Sequence, residues 1–160
     1  MIAPFLVSCV ADVNDPPDAQ GAFIIFSAST PPTDVLSEVD FGSTAIAPGR
    51  SFQEVYLVNV GGREALNLTA SFASTDFTFE GGIYPGIGGD CGSNLDVGDS
   101  CRLYLRFNPP TTTAYTSELS ITFNDTSDNG KSDVALTGLG TDPAIISISE
   151  TDPYDYGQQP

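Results

Sequence analysis

The chain has 160 residues, a length typical of one domain with its own core. It contains 40% hydrophobic residues and many glycines and prolines, a composition that favours short strands joined by turns. Its 21 acidic residues against five basic ones give a net charge of −16, which repels phosphate backbones and anionic lipid surfaces and excludes nucleic acid as a partner. It contains no histidine, which excludes Ser–His–acid triads, Cys–His dyads and histidine-based zinc sites within this chain.

Residues 1–22 begin apolar and become polar through a stretch with two prolines and several acids, which is typical of a linker. The run from Leu6 to Cys9 resembles the lipobox of bacterial lipoproteins, although no basic region precedes it and the apolar run is too short for a signal peptide. Cys9 is therefore open to three interpretations. They are a lipid anchor, an intermolecular or free thiol, and an incidental small apolar residue.

Alternating apolar and polar residues predict about seven strands between residues 23 and 140. The first is a split edge strand, 23–28 and 35–41, broken by Pro31 and Pro32. The remaining strands are predicted at 51–60, 66–72, 77–79, 102–107, 119–123 and 134–136. We predict an all-β fold, a seven-stranded immunoglobulin-like β-sandwich with extended N- and C-terminal segments.

The predicted strand 51–60 is apolar on both faces. Val55 and Leu57 lie on one face, while Tyr56, Val58 and Val60 lie on the other. Such a strand can be buried on both sides.

Cys91 and Cys101 lie ten residues apart around a turn rich in glycine and aspartate. Cys101 shares the parity of Leu103 and Leu105 and therefore points toward the core. A disulfide between the two cysteines would join this loop to the sandwich and would indicate an oxidising compartment. The alternative is a pair of free buried thiols, because two cysteines without further ligands make no ordinary zinc site.

Five short motifs occur in a characteristic order. They are VDFG at 39–42, LVNVG at 57–61, CGSNLDVGDSC at 91–101, RFNPP at 106–110 and ALTGLG at 135–140. The set resembles the bacterial choice-of-anchor D repeats, relatives of the ASH and major-sperm-protein immunoglobulin-like modules. The resemblance covers residues 23–140. It implies a seven-stranded sandwich without catalytic residues, commonly found in tandem on secreted or surface proteins, and a bacterial source.

The C-terminal segment 141–160 repeats the order of parts found at 23–42. An apolar and serine run is followed by Asp155-Tyr156-Gly157, 115 residues after Asp40-Phe41-Gly42. The segment therefore resembles the first strand of a following repeat. Its exposed apolar residues, and those of the N-terminal run, would need to be covered by a neighbouring sheet. The predicted inter-subunit strand residues are Ile145, Ile146, Ile148, Tyr154, Tyr156, Phe5, Leu6 and Val7.

The stretch 124–133 has the spacing of a calcium-loop start, with Asp125, Ser127, Asn129 and the later Asp133 as candidate ligands. The twelfth position of such a loop is Leu136 instead of a bidentate glutamate. Because the stretch joins two predicted strands, a hairpin turn at SDNG is the favoured interpretation, with calcium as the alternative and no other cofactor expected.

No enzymatic activity is expected, because the acidic residues in turns lack a surrounding aromatic and basic subsite. Those residues are Asp76, Glu80, Asp90, Asp96 and Asp99. Candidate adhesive aromatics are Tyr84, Tyr104, Tyr115 and Tyr154, which are scattered along the chain. No apolar run is long enough to span a bilayer.

The sequence thus predicts a secreted or cell-surface structural module whose partners are other copies of itself or neighbouring repeats. A filament subunit joined head-to-tail by strand addition is one form of this prediction. The alternative is an adhesive or ligand-binding module from a tandem-repeat surface protein.

Overall fold

The computed structural model of the protein describes residues 21–145. In this range the chain forms eight β-strands and a single turn of 3-10 helix, with no α-helix. The strands are β1 (Ile24–Ser27), β2 (Glu38–Ala45), β3 (Ser51–Asn59), β4 (Leu66–Phe72), β5 (Phe77–Phe79), β6 (Ser100–Phe107), β7 (Ala114–Asn124) and β8 (Asn129–Thr141), and the 3-10 turn is Glu80–Gly82.

The strands form two four-stranded sheets. The first sheet has the order β1-β3-β6-β5 and the second sheet has the order β2-β8-β7-β4. Their inner faces enclose one hydrophobic core, as in immunoglobulin-like sandwiches. The predicted all-β sandwich is confirmed.

The predicted split edge strand is present as two strands in different sheets, so the count is eight instead of seven. β1 pairs antiparallel with β3, whereas β2 pairs parallel with β8. The segment between them contains Pro31 and Pro32, which cannot donate to a ladder and allow the chain to cross between sheets. Sequence alternation is the same in both halves, so it could not show the change of sheet.

The long hairpin β7–β8 extends well beyond the predicted strands 119–123 and 134–136. Its ladder is continuous from the Ala114–Leu139 pair to the Asn124–Asn129 pair. Half of the additional positions are serine, threonine or glycine, and such residues on a solvent face do not give the alternation that predicts a strand. One of them, Gly138, lies where an added Cβ would be 2.5 Å from the Phe107 ring, so the strand there requires a residue without a side chain.

The core combines aliphatic layers with an aromatic cluster. The Phe77 and Phe107 rings are stacked at 4.7 Å between centroids, and Phe41 lies 5.3 Å and 5.8 Å from them. This cluster joins the two sheets, since Phe41 comes from β2 and the other two from β5 and β6. The largest fully buried side chains are Phe26, Phe77, Phe107, Ile24, Leu57, Leu103, Leu105, Leu119, Ile121, Leu136, Val55 and Val134.

Candidate interaction surfaces

The described chain begins at one end of the sandwich, which we call the N-terminal pole and define by residues 21–23, 59–65, 93–99 and 124–129. The Ala22 amide donates to Asp125 Oδ2 at 2.8 Å, and the Gly62 amide donates to the Gly21 carbonyl at 3.1 Å. A Cβ on Gly61 would lie 2.4 Å from the Gly21 carbonyl oxygen, so this close approach requires glycine. The incoming chain is thus fastened to both sheets.

Asn59 is the organising side chain of the N-terminal pole and is fully buried. Its Nδ2 donates to the carbonyls of Arg63 (2.7 Å) and Leu95 (3.0 Å). Its Oδ1 accepts from the amides of Gly61 (3.1 Å) and Phe23 (3.3 Å). One amide group therefore satisfies four backbone groups from three separate loops. The motif LVNVG contained this residue, but nothing in the sequence indicated its role.

Asp125 occupies the hairpin for which calcium was the alternative interpretation. Its Oδ1 accepts from the amides of Asp128 (2.9 Å) and Ser127 (3.0 Å), in addition to the bond from Ala22. These backbone bonds, that of Asp128 foremost, hold the pKa of Asp125 below its ordinary value. The carboxylate therefore fastens the hairpin and the incoming chain.

Of the other calcium candidates, Ser127 lies beside Asp125, but its Oγ accepts from Arg63 Nη1. Asn129 is in the β8 ladder opposite Asn124, and the Asp133 carboxylate pairs with Lys131 Nζ at 2.8 Å. Within residues 21–145 no group of three or more metal-ligating Cys, Asp or Glu side chains is present. A hairpin is present between β7 and β8, but its turn lies at 125–128, because Asn129 and Gly130 of the predicted SDNG turn belong to β8.

The predicted disulfide between Cys91 and Cys101 is present. The two Cα atoms are 4.8 Å apart, and both cysteines are buried. The bond fastens the loop after β5 to β6, where the Tyr104 amide also donates to the Pro85 carbonyl at 2.9 Å. The loop thereby extends the edge of the first sheet beyond the short β5.

The outer face of the first sheet carries a polar network centred on Glu54. The Tyr104 hydroxyl donates to Glu54 Oε2 at 2.7 Å, and the Tyr56 hydroxyl donates to Oε1. These bonds, that of Tyr56 foremost, lower the pKa of Glu54, and the bond to Glu54 raises the pKa of each tyrosine. Each pKa shift favours the carboxylate with two neutral phenols.

Arg102 lies beside this network and pairs with Asp90. Arg102 Nη2 is 3.1 Å from Asp90 Oδ2, and the Arg102 amide donates to Oδ1 at 2.6 Å. The backbone bond from Arg102 is the largest cause of the lowered pKa of Asp90. An open cavity of about 250 Å³ lies here, lined by Thr30, Tyr56, Asp90, Ser100, Cys101 and Arg102.

Three of the five basic residues in this acidic chain lie on the same outer face. Besides Arg102, Arg50 lies with its guanidinium carbon 5.8 Å from the Phe52 ring centroid, and Arg106 Nη1 is 3.8 Å from Glu80 Oε2. The register pairs Phe52 with Arg106 across β3 and β6. This face therefore combines aromatic side chains with most of the few cationic groups of the chain.

The tyrosines considered for adhesion lie apart, and Tyr154 lies outside the described residues. Tyr84 packs edge-on against Phe79 at 5.5 Å, and its hydroxyl donates to the Gly92 carbonyl at 3.1 Å. Tyr115 packs against Phe107 at 5.5 Å. Tyr115 also bonds Thr111 through its hydroxyl. Of the three described, Tyr104 alone bonds a carboxylate, and its neighbour Tyr56 was missed because the pairing of β3 with β6 is not visible in the sequence.

Tyr84 is expected to titrate well above an ordinary tyrosine. Burial raises its pKa from 10.0 to about 12, because the charged phenolate is disfavoured beside Phe79. Subtracting the alkaline ultraviolet titration of Tyr84→Phe from that of the wild type should give a phenolate transition near pH 12. This group therefore contributes stability below pH 10, which is lost as the pH rises toward 12. A transition near pH 10 would contradict the assignment.

The described chain leaves the sandwich at the opposite end, the C-terminal pole, which we define by residues 46–50, 108–113 and 139–145. The Ile46 amide donates to the Thr141 carbonyl at 2.9 Å, and no strand follows before residue 145. Ile145 is 88% exposed. Strand β8 runs from one pole to the other, and its 13 residues span roughly 40 Å at strand rise.

The remaining predicted inter-subunit and lipidation residues lie outside the described residues. They are Phe5, Leu6, Val7, Cys9, Ile146, Ile148, Tyr154 and Tyr156. In the described range no helix has the length and apolarity needed to cross a bilayer.

No protein-family model and no curated protein matches the sequence. Among solved structures, the ASH/PapD-like domain 7 of human CEP192 is similar, with TM-score 0.57 and 13% identity over 90% of this chain and 99% of that one. The VesB protease of Vibrio cholerae is similar with TM-score 0.53 and 13% identity, over 72% of this chain and 31% of its own length.

A protein of unknown function from Porphyromonas gingivalis W83 has TM-score 0.53 and 14% identity, over 76% of this chain and 48% of that one. In the two bacterial proteins the matched region is less than half of the whole. At such identities the likeness concerns the fold alone. The described chain therefore has an immunoglobulin-like β-sandwich fold of the ASH/PapD-like kind.

Proposed function

We propose that this protein is a non-catalytic structural module of an extracellular or surface assembly, joined to its neighbours end to end. The observation that carries the proposal is the path of the chain, which enters at the N-terminal pole and leaves at the C-terminal pole. Modules with ends at opposite poles can be linked in series without reversing direction.

The form of assembly we favour is a filament in which a terminal segment adds to the sheet of the next copy. Ile145 is 88% exposed and begins an apolar run in the sequence, and strand addition would bury such a run. A head-to-tail contact of this kind is heterologous and propagates unless its rotation closes a ring.

Several further features support this setting. The Cys91–Cys101 disulfide is typical of secreted or cell-surface proteins. The motif resemblance to bacterial choice-of-anchor D repeats is consistent with tandem arrays, and Cys9 would supply a lipid anchor if it is modified. The acidic residues considered for catalysis include Glu80 and Asp90, which are paired with arginines.

Removal of residues 144–160 tests the assembly. The shortened protein should remain monomeric with an intact disulfide, whereas the full chain should form larger species as its concentration rises. Sedimentation velocity and electron microscopy measure the difference. A matched control ending at residue 149 keeps the apolar run but lacks Tyr154 and Tyr156, so its assembly assigns the contact to the run itself. Normal filaments from the protein without residues 144–160 would contradict strand addition by the tail.

The second candidate is an adhesive module, which the outer face of the first sheet favours. Tyr56 and Arg102 line an open cavity, and Tyr104 shares the Glu54 carboxylate with Tyr56. Aromatic and cationic groups suit polar ligands such as sugars. A monomer at all concentrations that binds a glycan surface, with binding lost in Tyr104→Ala, would favour this candidate over the filament.

A further inference from the structure

Four apolar residues form a compact group on the outer face of the first sheet, which we call the apolar block: Phe23, Ile25, Val58 and Val60. The register pairs Ile25 with Val58, and the Val60 amide donates to the Phe23 carbonyl at 2.8 Å, which places those two residues opposite each other. Neighbouring pairs on one face lie within side-chain contact of each other.

The block faces outward because the residues between its members face inward. Ile24 and Asn59, which alternate with the block along β1 and β3, are buried in the core at 1% and 0% exposure. Phe23 is 59% exposed and Val60 is 46% exposed. Strand β3 is thus apolar on both faces toward its end, as its sequence predicted. Val58 is buried at 3% exposure and Ile25 is half-buried, so residues 21–145 leave the outer face uncovered at Phe23 and Val60 only.

The block lies at the N-terminal pole, beside the turn that contains Val97. The Gly98 amide donates to the Asn59 carbonyl at 2.8 Å, and Val97 is 52% exposed. Three large apolar side chains therefore emerge at this pole. Such a group on a soluble domain is typical of an interaction site.

The opposite pole indicates which segment covers the apolar block. Ile145 is exposed at the C-terminal pole, where the chain leaves the sandwich. In an end-to-end stack this segment of one copy meets the N-terminal pole of the next. Copies that each carry a charge of −16 repel one another, so a contact between them is favoured at uncharged apolar groups. Both the block and Ile145 meet that condition.

We infer that the apolar block receives the segment around Ile145 of a second copy, which rests on the end-to-end arrangement in the proposed function. The contact is heterologous, because the two surfaces lie at opposite poles of the same module. Burial of Phe23, Val60 and Ile145 away from water would supply its driving force.

Cross-linking with a short bismaleimide tests the pairing. Two single variants of the full chain, Val60→Cys and Ile145→Cys, are made on a Cys9→Ser background that keeps the Cys91–Cys101 bridge. Mixing them should give a covalent dimer several-fold faster than mixing Ile145→Cys with Ser71→Cys, a control on the exposed face of β4. An equal rate for the two mixtures would overturn the assignment.

Two further arms identify other occupants. A dimer formed by Val60→Cys alone as fast as by the mixture would indicate a symmetrical face-to-face contact. An intrachain link from Val60→Cys to a retained Cys9 would indicate that the chain's own N-terminal segment covers the block. Either result overturns the inference.

The cross-linking experiment can distinguish failure of the surface assignment from failure of the filament proposal. If the specific cross-link forms but sedimentation shows no species larger than short oligomers, the filament fails and the surface assignment stands. A chain with Val97→Cys, beside the block, should also cross-link to Ile145→Cys on a second copy. Adding Val60→Asp to the Val97→Cys chain should abolish that cross-link, provided that the variant retains the wild-type thermal midpoint. Retention of that link would overturn the role of the block.

Discussion

Replacing Asn59 with leucine is expected to lower the free energy of unfolding by about 3–4 kcal/mol, since two buried and two part-buried hydrogen bonds to the backbone are lost. Asn59 is fully buried and bonds the carbonyls of Arg63 and Leu95 and the amides of Gly61 and Phe23. Leucine has the same branching at Cγ as asparagine, so the loss reflects hydrogen bonds more than packing. Urea denaturation followed by tyrosine fluorescence measures the change.

The loss of stability in Asn59→Leu should appear first at the N-terminal pole and only then in the rest of the sandwich. Hydrogen exchange of the Gly61 and Phe23 amides should accelerate in Asn59→Leu more than that of the β7–β8 ladder. Asn108→Leu, at an exposed asparagine after β6, is the matched control and should change stability little. A cost below about 1 kcal/mol for Asn59→Leu would show that water replaces the side chain and that the amide does not organise the N-terminal pole.

Removal of the disulfide by the double substitution Cys91→Ala and Cys101→Ala is expected to lower the free energy of unfolding by about 2.5–3 kcal/mol. Closure of a loop with a sequence separation of 10 restricts the unfolded chain by about this amount in the chain-entropy model. Urea midpoints with unchanged slope would measure the loss. The loop after β5, with its exposed Ile83 and Ile87, should be the first segment to become sensitive to protease.

A reducing agent tests whether the lost stability comes from the disulfide itself. Wild type in dithiothreitol should approach the stability of the double variant, while the double variant itself should not respond. Alkylation of the unfolded, unreduced wild type should modify only one of its three cysteines, Cys9. Modification of all three without reductant would contradict the bridge, and Cys9→Ala serves as the control that leaves stability unchanged.

Strand β6 and the β7–β8 hairpin show which parts of the fold can be predicted from the sequence. Strict alternation identified β6 because its inward residues are all large and apolar and its outward residues are polar or charged. Alternation identified only the middle of β7 and β8, because their ends carry threonine, serine and glycine on a solvent face. The position of the hairpin turn was displaced, since Gly130 is needed beneath the Phe123 ring, where a Cβ would lie 2.2 Å away, instead of in the turn.

Fewer features of the interaction surfaces could be predicted from the sequence. The apolar outer positions of β3 were visible, but the burial of Val58 and the exposure of Val60 were not, because they depend on which element packs beside each residue. The Glu54 network was invisible, since it requires the pairing of Tyr56 with Arg102 and of Glu54 with Tyr104 across two strands far apart in the chain. Asp125 was assigned to a possible cation because its binding of three backbone amides depends on the fold.

The sequence by itself determined the all-β class, the main strands, the absence of histidine chemistry and the pairing of Cys91 with Cys101, because each depends on composition or on neighbours close in the chain. Only the tertiary structure decided that β1 and β2 lie in different sheets, that Asn59 organises one pole, and that the chain enters and leaves at opposite poles. Those features depend on contacts between residues tens of positions apart, and a local pattern carries no information about which distant backbone groups will be left to satisfy.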